Sequence, residues 1–176
     1  LSVRILKFYK ICGNFIYIFI YNLKLSKMIE MEDIDERAVS HFKEGYNCCE
    51  SVLMGYMETN KISSNIVPRI ATGFGGGIAR RGSVCGALTG AIMAIGLMYG
   101  RDRLDQDAYD LCVAKSSECY ERFKKEFGDV QCRNLIGCDL STSEGRNLFK
   151  KMGLREKNCM KYVRGASTIL LDLAKQ

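Results

Sequence analysis

The residues best equipped for chemistry in this chain are its nine cysteines: Cys12, Cys48, Cys49, Cys85, Cys112, Cys119, Cys132, Cys138 and Cys159. Their number is odd, and a chain of 176 residues can build a core without staples, so a disulfide framework is the weaker expectation. Metal or redox chemistry is the stronger one. No C-x-x-C occurs, which argues against zinc ribbons, thioredoxin-like dithiols and bacterial ferredoxin runs. A single histidine, His41, argues against His-rich zinc and di-iron sites, and it reads as a surface or packing residue.

Which thiols matter depends on where a thiolate would be stable. Free N–H groups and the helix dipole favour negative charge at helix N-termini and lower the pKa of a cysteine there. Four cysteines fall in predicted first turns: Cys48 after Asn47, Cys85 after Ser83, Cys132 after Asp129 and Cys159 after Asn158. Four such helix starts can converge on one cluster and donate N–H···S bonds to it. Cys112 and Cys119 are seven residues apart within a predicted helix, where cysteine acts as a small hydrophobe. Cys49 points about 100° away from Cys48 on the helix. Cys138, in Gly137-Cys138-Asp139, falls in a loop as a spare thiol.

The elements that must position these residues are all helical. Ile34, Ala38, Val39 and Phe42 repeat at helical spacing and Gly45 closes that helix. Asn47 and Glu50 form a capping box ahead of the apolar face Val52, Leu53, Tyr56 and Met57. A short helix covers Ile66 to Ala71, and Gly73-Phe74-Gly75-Gly76-Gly77 follows as a turn. Ser83 caps an apolar helix, Val84 to Tyr99, whose small residues Gly86, Ala87, Gly90, Ala91, Ala94 and Gly96 invite close neighbours. Further helices are expected over Gln106–Phe127, from Asp129 through Leu135, over Thr142–Met152, and from Cys159 to Ala174. No segment alternates with period two long enough to be a strand. The expected fold is all-α, a single-domain multi-helix bundle around the central Gly/Ala-rich helix.

The formal charge of +6 is no sign of nucleic-acid binding. Residues 1–27 hold Arg4, Lys7, Lys10, Lys24 and Lys27 and no acid, which leaves only +1 for 28–176. The apolar run from Ile11 to Tyr21 is shorter than the about 20 residues of a membrane helix, so membrane insertion is not expected. Residues 1–27 read as an over-extended gene start ahead of Met28, with a weak membrane anchor or a structured part of the domain as the other readings. The helical domain is 28–176.

Taken together, these stretches resemble the redox-active protein family named for a C-GCAxxG-C-C pattern. The resemblance is carried by Gly45-Tyr46-Asn47-Cys48 with Ser51-Val52-Leu53, by Gly73 to Gly77, and by Cys85-Gly86-Ala87-Leu88-Thr89-Gly90-Ala91. Phe127-Gly128 with Cys132 and Leu135, then Cys159 and Tyr162-Val163, complete it. The G-C-A-x-x-G of the name stands here as Cys-Gly-Ala-Leu-Thr-Gly, with its first two letters exchanged. The family's four cysteines carry over to Cys48, Cys85, Cys132 and Cys159. The resemblance implies electron transfer or redox sensing in anaerobic microbes, and kinship with the iron–sulfur part of a split-Soret type cytochrome. The expected cofactor is an iron–sulfur cluster, 2Fe-2S or 4Fe-4S, in a cytoplasmic protein. A redox partner protein is expected, with a homodimer as a further candidate. A structural zinc site built from four cysteines and a metal-free thiol–disulfide protein are the alternatives. Gly73 to Gly77 reads as a tight turn bringing backbone to the cluster rather than a phosphate nest, because no P-loop Lys-Ser/Thr follows. Arg80 and Arg81 are either solvated or offset the charge of thiolate ligands.

Overall fold

The computed structural model describes residues 34–175. Cys12 and the expected boundary at residue 28 lie outside them. The described elements are α1 (Ile34–Glu44), α2 (Cys48–Thr59), a 3-10 turn (Arg69–Phe74), α3 (Gly86–Tyr99) and α4 (Gln106–Phe127). They continue with α5 (Cys132–Ile136), α6 (Ser143–Lys151), a π turn (Arg155–Cys159) and α7 (Met160–Ala174). The fold is all-α, and among the described residues the only extended pairing is one bridge between Val84 and Gln131. No helix among them is long and apolar enough to cross a membrane.

The apolar periodicity buries itself as expected. Ile34, Ala38, Val39 and Phe42 of α1 face Val52, Leu53, Tyr56 and Met57 of α2 within one core. A short turn folds α2 back on α1. Gly55 then lies so close that a Cβ there would stand 2.7 Å from the Ala38 nitrogen. α3 uses its small residues in the same way: a Cβ at Gly90 would stand 2.6 Å from the Cys49 carbonyl oxygen. The opposite face of α3 is more open, with Leu97 51% exposed. α7 is buried along Val163, Ala166, Leu170 and Leu173 and packs on α1, α2, α3 and α4.

Three expected caps are different in the structure, those at Ser83, Asn158 and Asp129, the last giving way to Gln131 at the start of α5. α3 begins at Gly86 with Cys85, not Ser83, at the N-cap. The Ser83–Cys85 backbone is held in the extended bridge instead, with Cys85 N–H donating to the Val130 carbonyl at 2.8 Å. Asn158 caps nothing: the π turn runs directly into α7, so no helix starts at Cys159. The other caps follow the residue types. Asp105 caps α4, Thr142 caps α6, and Gly128 takes the left-handed conformation that ends α4.

The close crossing of α3 over α2 predicts a contrast between two glycines of one helix. Gly90→Ala should destabilise the fold by about 1–3 kcal/mol, because its methyl meets backbone that cannot yield. Gly96→Ala, which has nothing within 4 Å, should stabilise it by up to about 1 kcal/mol through helix propensity. Chemical denaturation of both variants measures the difference.

Candidate functional site

Each of the four singled-out cysteines is placed by a distinct local device. Cys48 is the first residue of α2. The Asn47 side chain accepts from Cys49 N–H at 3.0 Å and Glu50 N–H at 3.2 Å, while the Glu50 carboxylate accepts from Asn47 N–H at 2.8 Å. The same pair is fastened to the 3-10 turn, since Thr72 Oγ1 donates to Glu50 at 2.6 Å and Asn47 Nδ2 to the Thr72 carbonyl at 3.1 Å. Cys85 and Cys132 are set side by side by the bridge. Cys132 N–H donates to the Ser83 carbonyl at 2.7 Å, and Arg133 N–H to the Gly82 carbonyl at 3.1 Å. Asp129 secures the approach to α5, accepting from Val130 and Gln131 N–H and from Asn134 Nδ2; the N-cap itself is Gln131. Cys159 closes the π turn and is brought in from both sides. Tyr162 Oη and Asn158 Nδ2 both donate to the Leu135 carbonyl of α5, at 2.7 and 3.4 Å. Arg155 stacks 3.9 Å over the Phe42 ring and donates to the Phe42 and Tyr46 carbonyls, next to the start of α2.

These devices bring all four thiols into one electrostatic group in which every pairing interacts. Within the group Cys48 and Cys159 influence each other most strongly. The neighbouring Cys159 thiol holds the half-buried Cys48 below the usual thiol range, and the Arg155 guanidinium adds to that effect. Cys159 is pushed up because its proton is engaged by Cys48, and burial and the other three sulfurs push the same way. Burial raises Cys85 well above its ordinary value, followed by the charges of Cys48 and Cys132. The N–H groups of Ala87 and Leu88 at the α3 start pull the other way. Burial likewise pushes Cys132 up to about 12. Of the four, Cys48 is thus the thiol that ionises most readily. As the side chains stand, no three His, Cys, Asp or Glu residues among those described close around a metal ion.

The glycine turn reaches this group. A Cβ at Gly77 would stand 2.6 Å from the Cβ of Cys132, and one at Gly86 would stand 3.2 Å from the Cβ of Cys48. Backbone therefore lies against two of these cysteines where side chains would exclude it. The turn does not stop at its glycines. From Gly76 through Arg80 every residue has φ between 50° and 70°, including Ile78, Ala79 and Arg80. Left-handed backbone costs an ordinary residue about 1–2 kcal/mol. Strain of this kind persists only where its surroundings impose it.

The remaining described cysteines sort as their positions suggest. Cys119 is fully buried in the core and pushed up to about 12 by burial. Cys112 is half-buried on the same helix. Cys49 turns away from Cys48 toward Met93, with its sulfur 3.8 Å from the Met93 sulfur, and is also raised to about 12 by burial. Cys138 is half-buried and close enough to influence Cys132. His41 is tied to Glu58 at 2.9 Å. Arg80 turns to the thiols' cavity, whereas Arg81 offers its carbonyl to Arg133. Sequence reasoning missed Arg155, whose only signal is that it lies one helical turn ahead of Cys159.

Comparison with known proteins covers the same region. A family pattern matches residues 46–173, a span that contains all four thiols. A protein of Archaeoglobus fulgidus described as "Uncharacterized protein" is 32% identical over 157 residues, which is 84% of this chain and 97% of the relative. No solved structure matches. The chain belongs to the family described as "Putative redox-active protein (C_GCAxxG_C_C)".

Proposed function

We propose that this protein is an iron–sulfur protein serving electron transfer or redox sensing, with Cys48, Cys85, Cys132 and Cys159 as its cluster ligands. The observation that carries the reading is the mutual interaction of these four thiols. Buried thiols gathered in this way repel one another once ionised and lose hydration. Coordination to iron removes both costs. Two features support the fit: the Ala87 and Leu88 N–H groups aimed at Cys85 sulfur, and the Gly77 and Gly86 clearings against Cys132 and Cys48. When bound, the cluster would supply one-electron chemistry. The chain's own part would be to hold the sulfurs, aim N–H donors at them and set Arg155 against their negative charge. The reading places the protein in the reducing cytoplasm, where free thiols persist, with a redox protein as partner.

Cys48 and Cys159 also favour a second reading without metal. A readily ionised thiol beside a second thiol is the arrangement of a dithiol that closes to a disulfide, losing two electrons and two protons to an external disulfide that becomes two thiols.

Anaerobic purification with iron, sulfide and zinc assays and a visible spectrum separates the readings. The expected result is a coloured protein containing iron and sulfide; a colourless one with stoichiometric zinc rejects the proposal. Serine at any of Cys48, Cys85, Cys132 or Cys159 should remove most of the iron, since a four-ligand cluster has no spare thiolate. Serine at Cys112 should retain it and cost only about 1 kcal/mol. Gly77→Ala should also lose iron, by driving Cys132 out of place. In metal-free reduced protein, iodoacetamide should label Cys48 first and at lower pH than an ordinary thiol, with Cys49 and Cys119 protected, as read by peptide mass spectrometry.

A further inference from the structure

The thiols do not lie under a closed surface. Cys48, Cys132 and Cys159 line a cavity of about 770 Å3, within the roughly 300–1,000 Å3 that takes a small organic molecule. Four cations line the same cavity, Arg80, Arg146, Lys150 and Arg155, against one carboxylate, Glu156. Their arrangement is built rather than incidental. Ser143, Arg146, Asn147 and Lys150 fall at i, i+3, i+4 and i+7 of α6, so one whole polar face of that helix lines the cavity. Arg146 is held by the Leu140 and Ser141 carbonyls at 3.0 and 2.9 Å, and Arg155 by the Tyr46 carbonyl at 2.9 Å. Carbonyls fix the direction of a guanidinium without cancelling its charge. Arg80 enters from the strained left-handed turn, whose backbone shape sets where that side chain emerges.

Fixed cations around a concave site that contains sulfur recognise carboxylate or phosphate groups. We infer that this cavity is the binding site of a small molecule bearing two or more carboxylate or phosphate groups, which rests against Cys48 and Cys159 between α6 and the left-handed turn. The inference deepens the redox reading, because it identifies the class of molecule that meets the sulfurs. The binding itself does not depend on that reading.

The test uses the full chain, purified anaerobically, and the fluorescent trianion 8-hydroxypyrene-1,3,6-trisulfonate as probe. Fluorescence anisotropy at physiological ionic strength should show saturable binding of one probe per chain. Citrate and inorganic pyrophosphate should each displace it, and the tighter competitor tells carboxylate from phosphate preference. The double variant Arg80→Gln/Lys150→Gln changes two side chains of the cavity wall and should weaken binding roughly tenfold or more. Lys124→Gln/Lys125→Gln, in the last turn of α4 and outside the cavity lining, should leave binding unchanged. No saturable binding, or equal affinity in both double variants, overturns the inference. Displacement by polyglutamate but by neither small anion also overturns it, in favour of an acidic protein surface. Binding retained in a wild-type protein that carries neither iron nor a reversible disulfide would leave this inference standing and reject the redox reading.

Discussion

Two hydrogen bonds between the backbone at Ser83–Cys85 and that at Val130–Cys132 form the joint on which the site depends. They occupy the amide hydrogens of both cysteines and force the start of α3 beside the start of α5. Everything else is arranged around this pair. The capping box brings Cys48 to the joint from α2, and the contact of Gly86 with Cys48 keeps that approach close. Tyr162 and Asn158 anchor the π turn to α5 through a single carbonyl, that of Leu135. A strand-like bridge in a helical protein is therefore the frame of its chemistry.

The electrostatics follow from that geometry. Four ionisable sulfurs in one low-dielectric place cannot all carry charge at once. The neighbouring Cys159 and the Arg155 guanidinium make Cys48 the readiest of them to ionise. Arg155 is also bound to the end of α1 and the turn that leads into α2. Its role in the charge of the site and its role in packing are thus one interaction. A site of this kind gains most from a bound group that accepts several thiolates together.

Much of this was legible in residue types. The capping box at Asn47 and Glu50, the glycine end of α4 and the apolar faces of α1 and α2 all follow local rules, and local rules were met there. The departures have tertiary causes. Ser83 loses its capping role because its backbone is recruited into the bridge with a segment far along the chain. Asn158 loses its own because the π turn runs straight into α7 and leaves no helix start to cap; its amide donates to Leu135 instead. The left-handed run through Ile78, Ala79 and Arg80 defies residue preference altogether, and only the visible glycines announce a turn. The basic wall of the cavity was hidden for another reason. A polar helix face such as Ser143, Arg146, Asn147 and Lys150 reads as a solvent face until the neighbour across from it is known.

The π turn has a consequence for biogenesis. Cys159 is the last of the four sulfurs to be synthesised, and it reaches the others only when Arg155 has docked on Phe42 and Tyr162 on Leu135. A ribosome-bound chain that has emerged only as far as α6 holds three of the sulfurs and an unfinished cavity. The cavity is therefore complete only once α7 has been made and has packed on α1.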